Sequence, residues 1–318
     1  MSESMVASPT YDPGEFDGTL FRVMDDYKRG LLDAVDRLRC NIGACKSLGD
    51  IVTPDVIAQG RAVIESIDVR NQNPFYPPVF LTYHQNLEWI VPTDDMLTRM
   101  KRALARTPKR YRAFVRDASV QPMGGLFELN IYTALDDAFP SAEPQPRLPG
   151  SPKLSDIRMS VDGLSIFVEA TVLDEFRFWK DVRVSMHHAG LNVWAGVGPG
   201  PAQGAFRVVS KIAKESIQTT ADAPNIICLS FFDDTSPISP ARQWAVDDLW
   251  LGGPTYGGLP DGSRLDLSRV PNIDTIFEFS RDTLLRIHVN SNAAPSCRLS
   301  EAQRNRVRDA LSKKLLIR

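Results

Sequence analysis

The nineteen residues from Leu154 to Val172, LSDIRMSVDGLSIFVEATV, constrain the fold more than any other part of the chain. Ile157, Met159 and Val161 alternate with Asp156, Arg158 and Ser160. Ile166, Val168 and Ala170 alternate with Phe167, Glu169 and Thr171. A period of two marks a strand, whose side chains leave by turns to either face. Between the runs stands Asp162-Gly163, which readily takes the positive φ of a tight hairpin turn. The stretch therefore predicts a β-hairpin with one acid on each strand, Asp156 and Glu169, and with Glu169 and Thr171 on one face. An acid inside an apolar strand is costly to bury without a compensating partner. A hairpin with two such acids points to a bound cation.

The whole chain is large enough to build around that hairpin. Its 318 residues suit two domains or one elaborated α/β domain, and 43% apolar residues supply a sizeable core. A net charge of −2 gives no global basic field, so contact with nucleic acid would need a local basic patch. Cys40, Cys45, Cys228 and Cys297 are scattered, without Cys-x-x-Cys spacing or a zinc set with the histidines. A reduced, cytoplasmic chain is the expectation. The acidic, turn-rich N-terminus is not a signal peptide, and no apolar run reaches the length of a membrane span.

Helical spacing dominates the first part. Residues 1–15 are expected to be disordered. Leu20, Val23, Met24, Tyr27, Leu31, Leu32, Val35 and Leu38 predict a helix from Glu15 to Leu48. Thr53-Pro54 predicts the cap and first turn of another, to about Asp68. Asn71–Pro78 reads as a loop. Thr93-Asp94-Asp95 predicts the cap of a third helix through about Ala105, continued after Pro108. Residues 1–118 therefore form a mainly helical N-terminal module, and 119–318 an α/β core.

In that core, Met123–Phe139 predicts a helix entered through a Gly-Gly bend, with Glu128 in its first turns. A Pro-rich connector, Pro140–Pro152, leads to the hairpin. After the hairpin come an amphipathic segment, a Gly/Pro-rich loop from Gly196 to Gly204 and a helix from Phe206 to Thr219. Lys211, Lys214 and Gln218 fall on one side of that helix. Asn225–Phe232, Ile273–Phe279 and Leu284–Asn290 predict strands, with a helix over Pro240–Leu251. Ser300 caps the last helix. This order predicts a mixed central sheet flanked by helices.

Glu128, Asp156 and Glu169 stand out as acids ahead of and within the hairpin. Hard divalent cations take oxygen ligands, and Mg²⁺ commonly uses one or two carboxylates with several waters. A helical Glu, a strand Asp, a Glu two residues before a polar position on the next strand, and a following Lys/Gln helix make an ordered pattern. That pattern resembles the PD-(D/E)xK nuclease superfamily, the restriction-endonuclease-like fold, over residues 120 to 235. The resemblance implies Mg²⁺ or Mn²⁺ held by Asp156, Glu169 and the backbone carbonyl of Ala170, with Glu128 as a further contact. It implies phosphodiester hydrolysis of nucleic acid, DNA foremost, and allows a homodimer. Membrane partners are not implied.

One position departs from the family. Its lysine, two after the Glu, is Thr171 here, and Ser155 stands before Asp156 where the family has proline. A hydroxyl can orient a water but carries no positive charge. The family's lysine can move to a neighbouring element, so Lys211 and Lys214 are candidates for that charge. Plainer roles stand beside these. Asp156 could serve a turn or an ion pair, Glu169 could pair with Arg158 across the hairpin, and Glu128, Lys211 and Lys214 could be solvated helix residues. A domain without the lysine would be a non-catalytic binding or interaction protein on the same fold. Lys101, Arg102, Arg106, Lys109, Arg110, Arg112 and Arg116, interleaved with Tyr111 and Phe114, suit either a phosphate-tracking surface or a solvated face. The adjacent His187 and His188 diverge on a helix and make a poor shared metal site. His84 and His288 receive no role.

Overall fold

A computed structural model describes residues 13–66, 87–173, 201–231, 246, 249–250, 266–280 and 283–312. Six strands form one mixed sheet in sequence order: β1 (Glu143–Pro144), β2 (Ile157–Val161), β3 (Leu164–Leu173), β4 (Asn225–Phe231), β5 (Ile273–Ser280) and β6 (Thr283–Val289). The hairpin β2–β3 is antiparallel, β3–β4–β5 run parallel, and β6 returns antiparallel to β5. Asp162 and Gly163 take φ of 52° and 80°, the paired left-handed angles that a two-residue hairpin turn needs. Parallel strands are covered on both faces, and β4 is accordingly buried at every residue.

Helices lie on both sides of the sheet. They are α1 (Pro13–Ile42), α2 (Pro54–Glu65), α3 (Leu87–Ala103), α4 (Pro108–Val120), α5 (Pro122–Ala138), α6 (Pro201–Ser216) and α7 (Glu301–Ser312). On one face, Ile157, Met159, Ile166, Val168, Cys228 and Phe277 join a core that takes in Leu126, Leu129 and Leu135 of α5 and Val307 of α7. The same core extends outward through Val35 and Leu38 of α1, Leu97 and Met100 of α3 and Phe114 of α4. On the other face, Val208, Val209 and Ile212 of α6 pack with Ile227, Leu229 and Ile276. Thr53 caps α2 by accepting from Val56 N–H (3.3 Å). Ser300 and Gln303 form a reciprocal capping box on α7, with Ser300 N–H donating to Gln303 Oε1 at 2.9 Å and Gln303 N–H donating to Ser300 Oγ at 3.3 Å.

Several expected boundaries differ, each for an identifiable reason. The first helix starts at Pro13 and ends at Ile42, and Leu48 belongs to a separate 3₁₀ turn. Thr93-Asp94-Asp95 lies inside α3, with Pro92, rather than at its cap. Asp94 caps that 3₁₀ turn instead, accepting the N–H groups of Lys46, Ser47 and Leu48 at 2.7–2.9 Å. Gly124 and Gly125 lie within α5, because the buried Leu126, Phe127 and Leu129 outweigh glycine's weak helix propensity. Helix α6 begins at Pro201 and takes in Gly204, since proline's fixed φ suits a first helical turn. The Pro-rich connector carries β1, which pairs with Arg158 and Ile157. Residues 1–12, the loop Asn71–Pro78, the amphipathic segment after Leu173 with His187 and His188, His84, most of Pro240–Leu251 and the loop Gly252–Ser263 lie outside the described residues. Among the described residues, no helix is long and apolar enough to cross a membrane.

Candidate functional site

Four carboxylates from four parts of the chain, Glu128, Asp156, Glu169 and Glu215, lie around β3 near enough for their charges to act on Asp156 or Glu169. Asp156 stands in the bend immediately before β2, not on the strand itself, because regular pairing begins only at Ile157 with Val168. The freed Asp156 side chain turns across the hairpin, and Ala170 N–H donates to its Oδ2 at 2.8 Å. Glu169 lies opposite on β3 and is 2% exposed. Alternation sends Glu169 and Thr171 to the same face, towards α6. Glu128 comes from α5 and is fixed by Gln145, whose Nε2 donates to Glu128 Oε1 at 2.7 Å.

Helix α6 supplies the rest. Lys211 and Glu215 are one turn apart, and Lys211 Nζ lies 3.0 Å from Glu215 Oε1. The same oxygen accepts from Thr171 Oγ1 at 3.1 Å. Gln218 Nε2 donates to Glu215 Oε2 at 3.0 Å. Thr171 is therefore linked to Lys211 through one buried carboxylate. Lys211 is half-buried, whereas Lys214 is exposed on α6 and stays outside the group.

Burial and crowding leave the acids under electrostatic load. Burial, then the Asp156 charge, lifts Glu169 well above the ordinary carboxylate range, with Glu215 and Glu128 adding to the rise and Ser155 opposing it. Neither Glu169 oxygen has a hydrogen-bond partner among the described residues. The Ser155 hydroxyl instead donates to the Val168 carbonyl at 3.2 Å. Glu128 is lifted by burial first and by Asp156 second, against the Gln145 hydrogen bond. Asp156 is pushed up to about 7 by burial and by Glu215, while Ala170 N–H and the Lys211 charge pull the other way.

Oxygen donors alone, with a buried carboxylate left unpartnered, suit a hard divalent cation in kind. Asp156 and Glu169 could hold one, with waters completing its shell. Among the described residues, no three His, Cys, Asp or Glu side chains are gathered closely enough to form a ready-made cage.

A plainer role fits Asp156, which stands in a bend and accepts from Ala170 N–H, and Lys214, which is exposed, but it fits Glu169 and Glu128 less well. Arg158 pairs with Glu143 and leaves Glu169 alone. Glu128 is not a solvated helix residue, since it is held by Gln145. In the basic stretch, Tyr111 and Phe114 are buried in the core, so they offer no stacking platform. His288 pairs with Glu278 at 2.7 Å, a buried contact between β5 and β6 that the sequence did not suggest.

Glu215 and Gln145 were missed. Glu215 had a signal in its i, i+4 spacing from Lys211. Gln145 had none, because its role rests on a left-handed backbone (φ 53°) in a Pro-rich connector. Compared with protein-family models, curated proteins and solved structures, the chain matches none in any of the three.

Proposed function

We propose that this chain is a metal-dependent nuclease, hydrolysing phosphodiester bonds of nucleic acid, DNA foremost, on a restriction-endonuclease-like core with Mg²⁺ or Mn²⁺ as cofactor. The observation that carries this reading is the buried Glu169 carboxylate beside Asp156, without a hydrogen-bond partner among the described residues, with a lysine one carboxylate away. A divalent cation there would supply charge stabilisation at the phosphoryl group and an activated water. Asp156 and Glu169 would hold it. The N–H and C=O of one extended residue leave on the same side of a strand, so the Ala170 carbonyl, on the side of its N–H, would be a further ligand. Glu128 shapes the inner wall of the site. Lys211 provides the positive charge that Thr171 lacks, and Glu215 with Thr171 sets where its amine stands. Burial of these groups strengthens each electrostatic contact relative to water.

A non-catalytic binding or interaction protein on the same fold is favoured by a single observation. Lys211 is already engaged by Glu215, so its charge is matched internally. Calorimetric titration with Mn²⁺ and Mg²⁺ at pH 8 separates the two readings. The wild type is expected to take up cation, with uptake lost in Asp156→Ala and in Glu169→Ala. A folded wild type that takes up neither ion at millimolar concentration sinks the cofactor and the nuclease with it.

A further inference from the structure

We infer that the corner between α3 and α4 is the track along which the phosphodiester backbone of a nucleic acid is led to the acid cluster, an inference that rests on the nuclease reading. From Lys101 to Arg116 the chain carries seven basic residues and no acidic one, within a chain of net charge −2. Three of the seven are tied to the protein itself. Lys101 pairs with Asp50 at 2.7 Å, Arg116 with Asp117 at 3.0 Å, and Arg110 donates to the Gln145 carbonyl at 2.8 Å. The other four, Arg102, Arg106, Lys109 and Arg112, are exposed and have no acidic partner among the described residues. Arg102 lies in the last turn of α3, Arg106 stands in the turn that follows, and Lys109 and Arg112 are three residues apart on α4, so their side chains share one face there.

The corner is coupled directly to the site. Arg110 sits between Lys109 and Arg112 in sequence and grips Gln145. Gln145 in turn donates through its side chain to Glu128 and through its backbone N–H to the Asp156 carbonyl at 2.7 Å. One residue therefore separates the basic corner from two of the four acids.

The chemistry of the corner indicates its partner. With Tyr111 and Phe114 buried, the Lys101–Arg116 stretch offers charge but no stacking face, so it contacts phosphates and not bases. A linear polyanion fits it better than an anionic membrane. The neighbouring carboxylates would repel a broad anionic sheet, whereas a strand can follow the arginines and meet the acids only where a cation screens them. Binding of this kind is sequence-independent and strongly salt-dependent.

The test is fluorescence anisotropy with a labelled oligonucleotide of about 20 nucleotides in EDTA, as duplex DNA, as single-stranded DNA and as RNA of the same sequence, long enough to span several phosphates. Wild type is compared with the fourfold variant R102E/R106E/K109E/R112E, beside a phosphatidylserine vesicle arm. The fourfold variant is expected to bind at least about tenfold more weakly at about 0.1 M salt, and its slope of log K against log salt should be shallower by about 3.6 on duplex and about 2.8 on single strands, roughly 0.9 and 0.7 for each of four phosphates no longer neutralised. Its urea midpoint should match wild type, since all four side chains are exposed. Wild-type affinity and slope in the fourfold variant overturn the inference, and so does a wild type that binds vesicles through these residues but no nucleic acid. Cleavage keeps the two proposals apart. A wild type that binds through the corner and never cleaves leaves the track standing and removes the nuclease. A fourfold variant that cleaves with unchanged KM removes the track and leaves the nuclease.

Discussion

Glu169→Gln is expected to do two opposite things: abolish cleavage and stabilise the cation-free protein. The carboxylate is buried, has no hydrogen-bond partner among the described residues and faces the charges of Asp156, Glu215 and Glu128. A neutral side chain of the same shape removes that repulsion, and relief of an uncompensated buried charge is worth about 1–3 kcal/mol. On the proposed reading the same change also removes a cation ligand, and cleavage should fall by about three orders of magnitude. Such a trade of stability against activity is characteristic of a site held under strain for function. Asp156 gives the pH dependence its sign. Its carboxyl rises from 3.8 to about 7 on folding, so its contribution to stability is fully present below pH 3.8 and is lost as pH rises through about 7. Urea midpoints in cation-free buffer should therefore decline across this window, and the decline should flatten in Asp156→Asn. A Glu169→Gln protein less stable than wild type at pH 8, or a pH profile untouched by Asp156→Asn, contradicts the idea of acids held under electrostatic load.

The second large effect concerns the displaced lysine. Lys211→Ala is expected to lower kcat by about 10²- to 10³-fold, the usual cost of removing one preorganised group that stabilises developing charge, with KM changed little. Lys214→Ala should change neither, because that side chain is exposed and apart from the acids. Thr171→Lys in the Lys211→Ala background should restore much of the loss. The Thr171 hydroxyl and the Lys211 amine both reach Glu215 Oε1, at 3.1 Å and 3.0 Å, so a lysine at 171 starts beside the partner that Lys211 uses. Full activity in Lys211→Ala would show that the positive charge comes from elsewhere.

The backbone plan was largely legible in the residues. Period-two alternation and Asp162-Gly163 specify the β2–β3 hairpin by local sterics alone, and the apolar run Asn225–Phe232 suits a buried strand, which the structure forms over Asn225–Phe231 with every residue buried. Boundaries were lost where tertiary burial overrode local preference, as at the glycines inside α5. Asp94 shows another limit. Its position after Thr93 reads as a cap, and it is one, but for a turn about 46 residues earlier in the chain. Within the site, the acids Glu128, Asp156 and Glu169 were visible from their order along the chain. What periodicity cannot reveal is which side chain two elements share. Glu215 matters because both Thr171 and Lys211 meet on it, and Gln145 because a left-handed backbone turns it onto Glu128.

The central claim is that these acids hold a cation that cleaves phosphodiesters. The most direct measurement is cleavage of plasmid and linear DNA, with RNA alongside, in Mg²⁺ or Mn²⁺ and in EDTA, by the wild type and by Asp156→Ala. Products are expected with the wild type only in the presence of the cation, and none with Asp156→Ala. Equal inertness of both proteins across the metals, or equal cleavage by both, contradicts the claim.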